Sequence, residues 1–256
     1  MGLFGPSLPI ERDELEWLFA CFAWIDGTLG QRDHADGFTP ALVLPSDPAL
    51  LEASTASELF EAVKSLAGLA EWECRLEKGE AGRERIDTGL ATGEFSEGNV
   101  LGTFSVEGNT PVIRYDPALL SEPDALVATF AHELSHLLIH SIGIPPGGPE
   151  LEEHATDCMA VYLGFGVFLA NSARNFSQFS DGAMHGWSSR NSGYLSENAL
   201  VTAQVIFEKR FGFSADVKPF LKSYLRSVHG QAEKYLIKRH GDIKAELARI
   251  DLSEWA

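Results

Sequence analysis

Cysteine is scarce and cationic side chains are outnumbered in this chain of 256 residues, which holds 3 cysteines and 20 Lys and Arg against 37 Asp and Glu. Cys21, Cys74 and Cys158 are odd in number and far apart. Neither a disulfide framework nor a cysteine-based zinc cluster is expected, and a reducing, cytoplasmic setting suits the chain. The net charge of −17 opposes phosphate backbones and anionic bilayers. Nucleic acid and membrane surfaces are therefore not expected partners. No apolar run reaches the roughly 18 residues that a membrane helix needs. The start, Met1 to Pro6, lacks a basic region and a long apolar stretch, and Pro6 spoils a myristoylation pattern, so neither export nor lipid anchoring is expected. No repeat, low-complexity tract or linker divides the chain, and one domain spanning residues 1–256 is the expectation.

What is present is a compact chemical pattern. Ala131-His132-Glu133-Leu134-Ser135-His136 lies in an apolar run whose spacing predicts a helix. Residues four apart share a helix face, so His132 and His136 can converge on one ion. Glu133 projects beside them, where a carboxylate can take a proton from water on that ion. This is the H-E-x-x-H zinc signature. Upstream, Ser121-Glu122-Pro123-Asp124 reads as a capping box with proline in the first turn. Downstream, Gly143 and the run Ile144 to Pro149 stop the helix. His140 continues the ladder, but two turns, about 12 Å, separate it from His132, and it reads as a polar residue near the helix C-terminus.

A catalytic zinc ion usually has three protein ligands, so a third must come from elsewhere. A second helix should start near Pro149 or Glu150, and it opens with Glu150, Glu152, Glu153 and His154. Glu153 is the preferred ligand, with Glu150, Glu152 and His154 as rivals. Asp157, one turn beyond Glu153, is placed to accept the second ring N–H of a ligating histidine.

His132 to His136 followed by Glu153-His154-Ala155-Thr156-Asp157 resembles the gluzincin pattern, H-E-x-x-H followed on a later helix by E-x-x-x-D. The resemblance covers about residues 111–170. It implies an α+β, mostly helical zincin-like fold with a small β-sheet against the H-E-x-x-H helix, and a catalytic core over about residues 98–170 with helical extensions. It further implies one Zn²⁺ held by His132, His136 and Glu153, a histidine braced by Asp157, and a zinc metallopeptidase acting on peptide or protein substrates with Glu133 as general base. The short gap between the motifs is similar to that of compact minigluzincins, including ImmA/IrrE-type regulators. Those regulators usually carry asparagine at the position of Asp157, so their substrates are not carried over. A non-catalytic binding or regulatory protein on the same scaffold is the alternative.

Elsewhere, Glu11 to Ile25 and Pro48 to Leu69 read as helices, and Glu73 to Glu77 as a short strand before the polar stretch 78–98. Residues 100–106 and 111–115 read as a β-hairpin. Zincins hold an extended substrate on an edge strand, and Val112 to Tyr115 is the expected edge by position. The segment 180–194 is rich in hydrogen-bonding side chains, and His185 and Tyr194 are the candidates for stabilising an oxyanion. Helices are expected over 167–179, from Ser196 through Phe211, and as a last long helix whose apolar stripe runs Val217, Phe220, Leu221, Tyr224, Leu225, Val228. Half of all Lys and Arg follow residue 203, which reads as a solvated helix face.

Overall fold

Eleven consecutive residues, Ala125 through Ser135, are buried in the helix α4 (Pro123–Ile142), so this stretch has no solvated face. The arrangement is that of a computed structural model, which describes residues 6–32, 40–79, 102–107, 110–179 and 194–255. Around α4 pack α3 (Ala56–Leu66), α5 (Glu152–Ala160), α6 (Gly166–Phe179) and a three-stranded sheet of β1 (Arg75–Lys78), β2 (Gly102–Glu107) and β3 (Thr110–Tyr115). A second tier is formed by α1 (Arg12–Arg32), α7 (Glu197–Phe211), α8 (Ser223–Arg239) and α9 (Ile243–Leu247), with the short α2 (Pro48–Glu52) leading into α3. The fold is α+β and mostly helical. No described helix is long and apolar enough to cross a membrane.

The hairpin forms as expected, with Phe104 opposite Ile113 and Glu107 opposite Thr110 in an antiparallel register. The expected edge strand does not. β3 is the middle strand, because β1 pairs with its other side in parallel, Leu76 opposite Ile113. Val112 and Ile113 point to opposite faces and both are fully buried, as an inner strand requires. Arg114 holds both neighbours, donating to Ser105 Oγ on β2 (2.9 Å) and to Glu77 Oε2 on β1 (3.1 Å). Among the described residues the outer edges belong to β1 and β2.

Local chemistry explains three further departures. The expected helix from Pro48 to Leu69 is two helices. Ala53 is extended and Thr55 starts α3 with a capping box, its hydroxyl accepting from the Glu58 N–H while Glu58 accepts from Thr55. The box expected at Ser121 is absent. Residues Pro117–Ser121 form a 3₁₀ turn, the Ser121 hydroxyl donates back to the Ala118 carbonyl, and Glu122 caps α4 without a side-chain bond. The stripe from Val217 to Val228 is likewise interrupted. Lys218–Phe220 is a 3₁₀ turn containing Pro219, Leu221 is extended, and α8 starts at Ser223 with Tyr224 exposed.

Two helix ends position the site. Gly143, at φ +106°, closes α4 and lets the chain turn into the Pro145–Pro149 loop, whose Pro146 carbonyl accepts from Trp17 Nε1 of α1 (2.9 Å). The junction of α5 and α6 is a π-type turn over Val161–Phe165 with Gly164 at φ +103°, where a Cβ would strike the Ala41 carbonyl oxygen. Phe130, two residues before His132, meets Phe60 and Tyr115 edge-on at 5.2 and 5.8 Å. Burying one such ring contributes about 1.5–3 kcal/mol, so the helix that carries the site is anchored to α3 and β3.

Candidate metal centre

A buried stretch of α4 has no water to solvate an ionisable side chain, so His132 and Glu133 need partners there. α5 supplies them. It crosses against α4 and presents Glu153, Thr156 and Asp157, spaced i, i+3 and i+4, along one face. The His132 and His136 rings stand edge to face with centroids 4.9 Å apart. Glu153 Oε2 lies 3.3 Å from His132 Nε2 and 3.6 Å from His136 Nε2. One ligand atom from each of these three residues falls within 4.8 Å of the others.

Two of the three separations are those that a tetrahedral cation such as Zn²⁺ would need. Ligand atoms at about 2.0–2.1 Å from such an ion sit about 3.3–3.4 Å apart, close to the two separations found. Glu153 Oε2 is also sealed from solvent and makes no hydrogen bond. Its near neighbours are the two imidazole nitrogens, and a cation among the three atoms would give that oxygen the partner with good geometry that it lacks.

The far nitrogen of each ring is held. His132 Nδ1 lies 2.9 Å from Asp157 Oδ1, which fixes the proton on Nδ1 and turns Nε2 toward Glu153. Thr156 Oγ1 donates to the Glu152 carbonyl (2.9 Å) and therefore accepts from His136 Nδ1, 3.4 Å away. Asp157 has a further bond. Its Oδ2 accepts the backbone N–H of Leu195 at 2.8 Å, which brings the Tyr194 ring to 5.3 Å from the His132 ring.

Electrostatics separates the roles. Burial pushes the Glu133 carboxyl up, the nearby His132 charge pulls against it, and the Glu153 charge adds to it, leaving about 7. Burial also raises Glu153, yet contact with His132 and the charges of His136 and His132 outweigh it and hold the carboxyl at about 2. For His132 the burial penalty is overcome by Asp157 and Glu153, which raise it well above the usual imidazole range. His136 is lowered by burial to about 4. Tyr194 is raised by burial and by the negative charges of Glu153, Glu133 and Asp157, so its hydroxyl stays a donor at neutral pH.

The structure thus brings His132, His136, Glu153, Asp157, Glu133 and Tyr194 together. The rivals point elsewhere. Glu150 is exposed, Glu152 faces His140 Nδ1 at 3.7 Å, and His154 packs edge-on against Trp17 of α1 at 6.1 Å. His140, exposed at the end of α4, lies 2.9 Å by its Nδ1 from the His136 carbonyl and clusters with His136 and Glu152 but not with His132. His185 lies outside the described residues. Sequence reasoning misses Thr156 and the Leu195 amide. The i, i+3 spacing from Glu153 could flag Thr156, whereas no sequence signal marks a backbone amide 38 residues from its acceptor. No family model, curated protein or solved structure matches the chain.

Proposed function

We propose that this chain is a zinc-dependent metallopeptidase of the gluzincin type, built on a zincin-like core around α4 and α5 and acting on peptide or protein substrates. The observation that carries the reading is the sealed Glu153 oxygen facing two imidazole nitrogens whose opposite sides are already held, with the Glu133 carboxyl buried beside them. His132, His136 and Glu153 would hold one zinc ion. Bound zinc supplies Lewis acidity, polarising a scissile carbonyl and lowering the pKa of water from about 15.7 to about 7.

The chain's own groups do the rest. Glu133, buried beside the ligands, would take the proton of the attacking water and return it to the leaving amine. Tyr194 donates its hydroxyl to the oxyanion that develops on the substrate carbonyl. Asp157 keeps the His132 ring in the orientation and tautomer that ligation requires. The open side of the centre is the one where Glu153 and His136 retain partial exposure, at 27% and 12% of their side chains against 3% for His132.

Metal analysis of the purified protein, combined with peptide-library cleavage by wild type and Glu133→Gln, tests this reading. One zinc per chain, cleavage by wild type and none by Glu133→Gln is the expected result. Stoichiometric zinc without any cleavage would instead point to a binding protein on the same scaffold, and absence of zinc would remove the proposal altogether.

A further inference from the structure

Asp157 is almost wholly buried, and it spends its two carboxylate oxygens on two different parts of the chain. Oδ1 takes the His132 ring nitrogen at 2.9 Å, and Oδ2 takes the Leu195 amide at 2.8 Å. Leu195 is itself buried, and the next residue, Ser196, caps α7 through its hydroxyl. The residue before it is Tyr194, whose ring lies against His132. A single side chain therefore ties a candidate metal ligand on α4 to the residue that follows the candidate oxyanion donor and leads into α7.

We propose that Asp157 couples metal occupancy to the placement of Tyr194, acting as a positioning residue with one arm on His132 and the other on the Leu195 amide. The inference rests on the zinc-binding reading above and deepens it. A cation at His132 Nε2 fixes the imidazole, and the imidazole fixes the carboxylate plane. With one oxygen pinned in that plane, the other is held where the Leu195 N–H meets it. A carboxylate serves both donors because each oxygen accepts independently. An asparagine cannot, since its single carbonyl oxygen faces two N–H donors and its NH₂ must face one of them. Linkage makes the effect reciprocal, so whatever loosens the Leu195 arm also weakens the metal. An ion at the site would thereby steady an arm that already joins Asp157 to the Leu195 amide, and with it the placement of Tyr194.

Hydrogen exchange of the Leu195 amide, followed by NMR in the full-length protein labelled with ¹⁵N-leucine, tests the coupling. The comparison is between EDTA-treated protein and protein with one equivalent of zinc, with the Leu200 amide inside α7 as reference. Zinc should slow Leu195 exchange by about tenfold or more relative to Leu200, within the usual range of coupling between two sites. Asp157→Asn should lose that difference and bind zinc about 10–100-fold more weakly. Should Asp157→Asn fail to fold, the wild-type comparison alone decides. Zinc binding with an unchanged Leu195 to Leu200 ratio overturns the coupling while leaving the metal site standing. An Asp157→Asn protein with wild-type zinc affinity and a wild-type Leu195 response overturns it equally. No zinc binding to wild type removes the site and the coupling together.

Discussion

Among the described residues, a buried histidine–carboxylate cluster in the α7–α8 interface and another in the α4–α5 interface are built differently. In the α7–α8 interface, His229 Nε2 lies 3.1 and 3.2 Å from the two oxygens of Glu208, and Gln204 donates to the same carboxylate at 3.0 Å. One imidazole meets one carboxylate, and the carboxylate is satisfied on both oxygens. In the α4–α5 interface, two imidazoles turn toward one carboxylate oxygen that has no hydrogen-bond donor. Burial is nearly the same in both, with His229 and His132 each 2% exposed. The contrast teaches that burial of a titratable pair marks an expensive interaction, whereas convergence of several lone-pair atoms on one point marks a place for a cation.

The largest expected effect is chemical. Glu133→Gln should lower peptide cleavage by about 10²–10⁴-fold, the usual contribution of a general base, with zinc content unchanged by mass spectrometry. Glu208→Gln should leave turnover per folded molecule as it is. Cleavage by Glu133→Gln at the wild-type rate would place that carboxylate outside the chemistry.

Next comes ligation. Zinc at a hundredfold excess over its Kd should raise wild-type stability by about 2.7 kcal/mol, visible as a higher melting temperature than in EDTA. Glu153→Ala should lose that gain, and His229→Ala should keep it. A full zinc response in Glu153→Ala would hand the third ligand position to another residue.

The same His229→Ala variant should cost about 3 kcal/mol in urea unfolding at neutral pH, because it leaves the Glu208 carboxylate buried without its imidazole. A cost near zero would mean that water reaches the α7–α8 cluster.

The smallest effect belongs to the partly exposed neighbour of that cluster. Contact with Lys209, and more weakly with Lys218, outweighs burial and holds the Glu233 carboxyl at about 2. The ionised form is therefore favoured by folding, so the stabilisation is complete above the ordinary carboxylate pKa of about 4.3 and fades as pH falls through about 2. Glu233→Gln should cost about 1 kcal/mol at pH 7 and only a small fraction of that by pH 2 in denaturant titrations. A cost that persists at pH 2 would assign it to packing.

Much of the candidate site is legible in the amino-acid sequence. The spacing of His132, Glu133 and His136 is local, and so is that of Glu153 and Asp157, because each set lies on one helix where sequence offset fixes direction. The stop at Gly143 and the Ser196 cap are readable for the same reason. The place of β3 is not, since its second partner is a four-residue strand whose Glu77 meets Arg114 across 37 positions. The break at Leu221 is hidden because an apolar stripe persists through a 3₁₀ turn, and that stripe alone does not report whether Pro219 ends a helix or opens one.

Sequence alone determined which side chains could bind a metal, because ligand chemistry and helical periodicity are properties of residues and their near neighbours. Only the tertiary structure decided that Glu153 rather than Glu150, Glu152 or His154 faces His132 and His136 together, that Thr156 holds the far side of His136, and that Asp157 also grips Leu195. Those choices depend on the angle at which α5 lies against α4, and that angle is set by packing summed over the whole core rather than by any short stretch of chain.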